Sequence, residues 1–242
     1  MKKSLLALTF VLTAAAVPTA SFADVAFNVG AVSDYRYRGI SQSRLKPALQ
    51  GGVDFSAGGF YVGAWASTIK WIEDAGGDAK VEIDVYGGYK GEIAKDLTYD
   101  VGVLTYYYPK NRLATSANTT EIYGALTFGP ATVKYSHAVT DTFGAFDSKN
   151  SFYLDASASF EITDGWMITP HVGYQKYKGP ADDAATYTDY SVTVSKDFKG
   201  LVPSLAIVGT DADKNLYTVA DGNGRTKRVG NTAAVLSISK TF

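Results

Sequence analysis

The sequence predicts an all-β protein, a closed antiparallel transmembrane β-barrel of about twelve strands that follows a cleaved signal peptide. Three observations support this prediction. Polar and apolar residues alternate along segments long enough for a tilted strand to cross a bilayer, which takes about 9 to 11 residues. The connections between these segments alternate between short and long. The chain ends in an amphipathic segment whose last residue, Phe242, is aromatic.

The composition limits the class of protein. The chain has 242 residues, no Cys and a formal net charge of -1. This length suits a single domain. Without Cys there is no disulfide scaffold and no thiolate metal site, and export to an oxidising compartment is permitted. Loss of Lys2 and Lys3 with a signal peptide reduces the basic residues from 23 to 21 against 24 acidic ones, so the charge becomes -3 and nothing indicates a nucleic-acid partner.

The first residues have the pattern of a secretory signal peptide. Lys2 and Lys3 precede an apolar run at 5–17, and small residues follow as far as Ala23. Ser21 and Ala23 have the small size that signal peptidase requires, so we expect a signal peptide at 1–23 and a barrel at 24–242. The alternative is a retained membrane helix, which needs about 20 apolar residues and therefore a longer run than this one.

The first strand of the predicted barrel begins at Val25. Apolar residues occupy the odd positions 25, 27, 29 and 31, and Tyr35 and Tyr37 have the same parity. Polar residues occupy even positions as far as Arg38. We therefore expect one long strand with its apolar side toward lipid, since side chains alternate between the two faces of a sheet. The same period of two predicts the remaining strands at 48–56, 60–68, 79–90, 97–108, 119–128, 131–139, 151–161, 166–177, 186–196, 201–210 and 232–242.

The connections give an independent signal because their lengths alternate. The short ones read AGG, GEIAKD, GP, ITDG and DFKG, and the long ones read GISQSRLK, IKWIEDAGGD, PKNRLATSAN, TDTFGAFDSKN, KGPADDAA and DADKNLYTVADGNGRTKRVGN. Tight turns on one rim and long loops on the other are typical of outer-membrane barrels, in which the long loops lie outside the cell. We therefore expect the bacterial outer membrane as the location, with both termini periplasmic because the strand number is even.

The last strand indicates how such a barrel would be assembled. Ala234, Leu236 and Ile238 share parity with Phe242, and this pattern resembles the signal that the outer-membrane assembly machinery recognises. Lys240 departs from that signal, which usually has an apolar or aromatic residue there. The alternative is that Phe242 only ends an edge strand. We expect outer-membrane lipids, the assembly machinery and small solutes as partners, and a closed ring because unpaired backbone groups are costly in hydrocarbon.

Four strand motifs resemble those of a known family. They read SDYRYRGISQS from Ser33, GGFYVGAWAS, EIDVYGGY and VGVLTYYYP, and they occur in matching order and spacing. The chain is similar in these motifs, and along essentially all of the mature sequence, to a proteobacterial family of porin-like proteins that is often labelled TorF. The resemblance implies an outer-membrane barrel with a pore and no established substrate.

Parity also predicts which charged side chains face the lumen. Acids outnumber bases among them, which would favour cations by raising their local concentration. The alternative is that acids and arginines pair across neighbouring strands and plug the barrel. On the first strand the arginines could form a constriction, grip Glu82, Asp84 or a carboxylate solute, or serve only structural pairing. The candidates for the lumen or a constriction are Asp34, Arg36, Arg38, Asp54, Glu82, Asp84, Asp100, Glu121 and Asp155.

Inward aromatic residues suggest a second kind of site. Aromatic faces beside polar groups could stack a planar or sugar-like solute in a narrow channel. Tyr is also an ordinary filler of small barrels, so a purely structural role is the alternative. The candidates are Tyr61, Trp65, Tyr106, Tyr108 and Tyr123.

The sequence contains little that suggests catalysis. His137 and His171 are its only histidines; no Ser with activating spacing accompanies the first, and no recognisable metal ligand accompanies the second. We expect no enzymatic activity, no cofactor and no metal. The leading hypothesis is a porin-like channel for passive diffusion of small polar or cationic solutes. The alternatives are a non-conducting barrel with a structural or surface-interaction role, and a soluble periplasmic β-sandwich or lipocalin-like binder.

Overall fold

The computed structural model describes residues 23–220 and 224–242, so the predicted signal peptide at 1–23 lies, apart from Ala23, outside the described residues. Two short α-helices, α1 (Trp71–Asp74) and α2 (Asp182–Ala185), and a 3-10 turn at Gly179–Ala181 lie in connections. In the described ranges no helix has the length and apolarity to cross a membrane. The strands are β1 (Asp24–Val32), β2 (Arg36–Tyr37), β3 (Ile40–Ser41), β4 (Ala48–Ala57), β5 (Phe60–Thr68), β6 (Val81–Ala94), β7 (Leu97–Tyr107), β8 (Thr119–Phe128), β9 (Ala131–Ala138), β10 (Phe152–Ala158), β11 (Phe160–Thr163), β12 (Trp166–Lys176), β13 (Tyr187–Lys196), β14 (Leu201–Thr210), β15 (Thr218–Ala220), β16 (Thr226–Arg228) and β17 (Ala233–Thr241).

The main sheet closes into a ring, which confirms the predicted antiparallel barrel. Its order is β1-β4-β5-β6-β7-β8-β9-β10-β12-β13-β14-β17, and β17 pairs with β1. Every neighbouring pair is antiparallel. Strand β11 continues β10 along β12 after an interruption at Ser159, whose N–H donates to the carbonyl of Pro130 at 3.0 Å. The two pieces form one barrel strand, so the ring has twelve strands.

The ring closes at a short seam between the first and last strands. Strand β1 pairs with β4 from Asp24 to Val32 but with β17 only from Asn28 to Val32. One more pair of bonds extends the seam, because the Phe242 N–H donates to the Phe27 carbonyl at 2.9 Å and the Phe27 N–H donates back at 3.3 Å. The terminal residue therefore completes the ring.

The first strand is shorter than predicted, because it ends at Val32 and does not continue to residue 38. Ser33 makes the last contacts with β17, since its N–H donates to the Leu236 carbonyl at 2.8 Å and its hydroxyl accepts the Leu236 N–H at 2.9 Å. The chain then turns, with Arg38 and Gly39 at φ of 46° and 78°. Residues 33–47, here called the inner loop, leave the ring wall and contain the small β2–β3 hairpin.

Large apolar side chains cover the outward face of the ring. Val25, Phe27 and Val29 are exposed on β1, and the residues between them are more buried. The same alternation continues around the ring, as with Val103 and Ile122, which are paired neighbours on β7 and β8 and are both exposed. A belt of this kind is stable only in contact with lipid.

Val103→Arg tests the lipid face. Val103 lies near the middle of β7 and is 46 % exposed on the outward side. We expect a charge at this depth to lower the free energy of unfolding by about 2 to 4 kcal/mol, and Tyr107→Arg at the strand end to lower it by only about 0 to 1 kcal/mol. Urea titration of protein refolded in lipid vesicles measures both values. Equal losses at the two positions would contradict a bilayer around the ring.

The two rims differ as the connection lengths predict. One rim, the short-turn rim, has tight turns such as Gly58 and Gly59, whose φ values of 55° and 90° suit glycine. The other, the long-loop rim, has the connections 33–47, 69–80, 108–118, 139–151, 177–186 and 211–232. In the last of these the backbone N–H groups of Leu216 and Asn215 lower the pKa of Asp213, because they donate to its carboxylate.

Candidate functional site in the barrel lumen

The inner loop folds into the ring and occupies its long-loop half. The hydroxyl of Tyr35 donates to Glu82 Oε1 at 2.5 Å, and the hydroxyl of Tyr37 lies 2.5 Å from that of Tyr106. The expectation that Tyr35 and Tyr37 face lipid is therefore wrong. The strand ends before them, so strand parity no longer decides where their side chains point.

Asp34 and Arg36 fasten the inner loop. Arg36 Nε lies 2.5 Å from Asp34 Oδ2, and its Nη1 donates to the carbonyls of Gly39, Val229 and Asn231 at 2.9 to 3.0 Å. The Ser41 hydroxyl donates to Asp34 Oδ1 at 2.5 Å. The structure thus places both residues inside the ring, on a loop and not on the predicted strand. Their bonds tie the loop to itself and to the connection 211–232.

Arg38 extends across the lumen to the far wall. Its Nη2 donates to both carboxylate oxygens of Glu121 at 2.9 and 2.7 Å, and its Nη1 donates to Gln175 Oε1 at 2.5 Å. The guanidinium carbon lies 4.3 Å from the ring centroid of Tyr153 and 4.8 Å from that of Tyr37. Both sides of the ion pair are buried, at 6 % exposure for Arg38 and 1 % for Glu121.

Glu82 and Asp84, which were possible partners of the arginines, do not pair with Arg38. The turn at Arg38 and Gly39 aims the side chain at β8, which lies almost opposite β1 in the ring. Glu82 instead accepts hydrogen bonds from Tyr35 at 2.5 Å and Tyr108 at 2.8 Å. The pairing therefore crosses the lumen and does not follow neighbouring strands.

The aromatic candidates divide between the two halves of the lumen. Trp65, Tyr106 and Tyr108 are buried in the long-loop half, where Trp65 makes an edge contact with Tyr35 at 5.5 Å. Tyr61 and Tyr123 lie further toward the short-turn rim, with their hydroxyls in contact. These side chains fill space between the inner loop and the wall.

The acids near the short-turn rim accept bonds from tyrosines. The Tyr61 hydroxyl donates to Asp100 Oδ1 at 2.5 Å, and the Tyr86 hydroxyl donates to Asp54 Oδ1 at 2.5 Å. Lys90 Nζ lies 3.8 Å from Asp100 Oδ2. Most of the predicted lumen acids therefore have donors within the protein.

Asp84 is the exception among these acids. Its side chain is 1 % exposed as a residue, and neither carboxylate oxygen has a hydrogen-bond partner in the part of the chain that the structure describes. Glu82 and Glu121 lie within electrostatic range of it. The layer behind the inner loop therefore contains a buried carboxyl group that no donor among the described residues satisfies.

A cavity of about 260 Å³ lies beneath the inner loop. Lys134 is one of its charged residues; its Nζ lies 4.0 Å from the ring centroid of Tyr123, with Asp100, Glu121 and Asp155 in electrostatic range. The cavity reaches toward the short-turn rim, and its wall there is rich in hydroxyl groups from Thr132, Ser157, Ser191, Thr193, Ser237 and Ser239.

His171 joins two carboxylates at the side of this cavity. Its Nε2 lies 2.5 Å from Asp155 Oδ2, and its Nδ1 lies 3.6 Å from Asp189 Oδ1. Ser157 and Ser191 are its cross-strand neighbours, but both ring nitrogens already face carboxylates, so neither is placed to activate a serine. Within residues 23–220 and 224–242 no group of acids and histidines could hold a metal ion.

Two residues of this site carried no readable signal in the sequence. Gln175 and Phe143 come from a distant strand and a distant loop, and only the path of the inner loop brings them to Arg38. One signal was available, since the stretch from Asp34 to Arg38 is more densely charged than a bilayer-crossing strand normally is.

The comparisons with known proteins agree with this architecture. Residues 15–242 match the family model Gcw_chp, described as a bacterial protein of unknown function. The label TorF expected from the motifs is not confirmed by this match. A search of curated protein sequences gives no match.

Solved structures match at the level of the fold. A KdgM porin in complex with disordered oligogalacturonate is 10% identical, with 91% of this chain and 99% of that chain covered and a TM-score of 0.54. A NanC porin is 13% identical, with 90% and 99% covered and a TM-score of 0.52. LpxR from Salmonella typhimurium is 9% identical with a TM-score of 0.45, a similarity too low to support any statement about activity.

Proposed function

The chain belongs to the Gcw_chp family of bacterial proteins of unknown function, and we propose that it acts as an outer-membrane, porin-like channel for passive diffusion of small polar or cationic solutes. The observation that carries the proposal is the closed ring with an apolar outside and with charged and hydroxyl side chains along an internal cavity of about 260 Å³. Such a ring needs a bilayer around it and holds water-compatible groups within it. The fold shared with two porins supports the same class of function.

We propose the bacterial outer membrane as the location, with the short-turn rim and both termini in the periplasm. The partners in this proposal are outer-membrane lipids and, during assembly, the machinery that recognises the terminal Phe242. The outward position of Phe242 supports that role. Lys240 does not oppose it, because its Nζ donates to the Lys199 carbonyl at 2.8 Å, at the rim.

Lys149→Cys and Lys95→Cys test this orientation. The sequence has no Cys, so each variant carries a single thiol. Lys149 is exposed at the long-loop rim, and Lys95 is exposed in the turn between β6 and β7. In intact cells we expect a membrane-impermeant maleimide to label the first variant and not the second, and after lysis to label both. Labelling of only Lys95→Cys in intact cells would reverse the orientation.

The proposed preference for cations depends on which lumen charges are free. Acids outnumber bases in the interior, and the unpartnered carboxylate of Asp84 supports attraction of a cation. Lys134 opposes this attraction only weakly, because acids lie around it. The lumen candidates therefore keep their proposed role as a mildly cation-favouring lining.

A second candidate function is a non-conducting barrel with a structural or surface role. The inner loop favours it, since the ion pair of Arg38 and Glu121 and the rings of Tyr35 and Tyr37 occupy the long-loop half of the lumen. A loop with this many bonds would stiffen the barrel and close it at the same time.

Planar bilayers distinguish the two candidates. Refolded mature protein should give discrete conductance steps, and its reversal potential in a salt gradient should indicate a cation preference. A silent membrane, with protein that has the heat-dependent gel mobility of a folded barrel, would favour the non-conducting barrel. Recovery of the mature protein in the soluble periplasmic fraction would contradict both.

A further inference from the structure

We propose that Arg38 occupies a binding site for guanidinium-bearing cations, so that the inner loop holds a built-in ligand where a solute can bind. Because the proposal names a class of solute for the channel, it rests on the proposed channel function. The site itself is defined by Glu121, Gln175 and Tyr153, none of which belongs to the loop.

The geometry of the site suits a planar fork better than a point charge. One guanidinium nitrogen of Arg38 donates to both oxygens of Glu121 and another donates to Gln175. The rings of Tyr153 and Tyr37 lie 4.3 and 4.8 Å from the central carbon. Delocalised guanidinium stacks on aromatic faces and presents donors at fixed angles, whereas an ammonium has no planar donor fork.

The wall of the site remains when its occupant leaves. Glu121 lies in β8, Tyr153 in β10 and Gln175 in β12, and all three strands are fixed by pairing on both sides. Arg38 and Tyr37 belong to the inner loop, so loop movement removes the occupant and leaves the carboxylate, the amide and one aromatic face in place.

Further carboxyl groups lie near the acid that Arg38 binds. Glu82 and Glu121 are both within electrostatic range of Asp84, and Arg38 pairs with Glu121. Asp84 is buried without a hydrogen-bond partner among the described residues. This unsatisfied carboxylate is an independent sign that the layer can accept further positive charge.

The backbone conformation at Arg38 also supports the proposal. Its φ of 46° lies in the left-handed region, where glycine is favoured and an arginine side chain brings no conformational benefit. Arg36, two residues earlier, differs because its donors go to backbone carbonyls and to Asp34, which fastens the loop. Position 38 therefore holds a guanidinium in this site although its backbone conformation suits glycine better.

Removing the occupant and supplying it again tests the proposal. In Arg38→Gly, the new glycine accepts the φ observed at this position. The substitution removes the arginine side chain, which has the same structure as propylguanidinium. We expect the refolded variant in detergent to bind one propylguanidinium per chain by calorimetry, and propylammonium at least about tenfold more weakly. The original chain should bind neither at this site, because the site is occupied.

Two further variants serve as controls. Arg38→Gly with Glu121→Gln should bind propylguanidinium at least about tenfold more weakly, since a charged acceptor is lost. Arg112→Gly, which removes a side chain that is 70 % exposed, should create no site. Equal binding of the two cations, or no binding by refolded Arg38→Gly, would overturn the proposal.

Folding and conductance keep the outcomes separate. If Arg38→Gly refolds poorly, propylguanidinium and not propylammonium should raise its refolding yield on gels, and no such rise would count against the site. A variant that conducts without binding contradicts only this inference. A variant that binds without conducting contradicts only the proposed channel.

Discussion

Arg38→Gly should raise the single-channel conductance of the refolded chain several-fold and shift its reversal potential toward cations. The guanidinium joins the inner loop to Glu121 on the far wall and to Gln175, so its loss removes a link that spans the lumen. Glu121 then has lost its counter-charge, with Asp84 in electrostatic range, and a lumen with less positive charge raises the local concentration of cations. Planar bilayers with a salt gradient measure both quantities.

Two other arginines, which lie outside the ion pair with Glu121, serve as controls for this result. Arg112→Gly removes the same charge from an exposed position and should leave conductance unchanged. Neutralising Arg36 together with Arg38 should shift the selectivity further, because Arg36 fastens the loop. An unchanged reversal potential in the double variant would mark both arginines as structural.

Glu121→Ala should produce the largest loss of stability, about 3 to 5 kcal/mol in the free energy of unfolding. The substitution leaves the Arg38 guanidinium buried with Gln175 as its remaining side-chain acceptor, and it also removes the acceptor of a 3.3 Å contact from Tyr106. An isolated buried charge is more costly than a missing pair. Urea unfolding of protein refolded in lipid vesicles gives the value.

Glu92→Ala is the matched control for this prediction. Glu92 is exposed near the short-turn end of β6, and its removal should change stability by no more than about 0.5 kcal/mol. Combining Glu121→Ala with Arg38→Gly should recover much of the loss, since the unpaired charge is then gone. Equal stability of the Glu121 and Glu92 variants would show that the ion pair contributes nothing.

The ring could be predicted from the sequence because its determinants are local. Alternation along strands such as β5 and β7 depends on neighbouring residues, and so do the turn signals between them. The predicted segments 60–68 and 119–128 coincide with β5 and β8. The eighth segment was predicted as continuous over 151–161. In the structure it breaks at Ser159, and the alternation of polar and apolar residues does not indicate this break.

The inner loop could not be predicted in the same way. Parity placed Asp34, Arg36 and Arg38 inside and Tyr35 and Tyr37 outside, but a strand was the wrong premise, and both tyrosines are inside. The partner of Arg38 lies 83 positions further along the chain. No rule based on neighbouring residues links two positions so far apart. The turn at Gly39 and the packing of several loops determine where the Arg38 side chain lies.

The seam between β1 and β17 also bears on how the molecule is made. The first residues of the ring and the last residue of the chain hold each other, through the backbone bonds between Phe27 and Phe242. Until β1 and β17 pair, the sheet has two open edges whose backbone groups lack partners. Pairing of the first and last strands of the ring is therefore the step that removes both edges at once, and it depends on residues almost the whole ring apart in sequence.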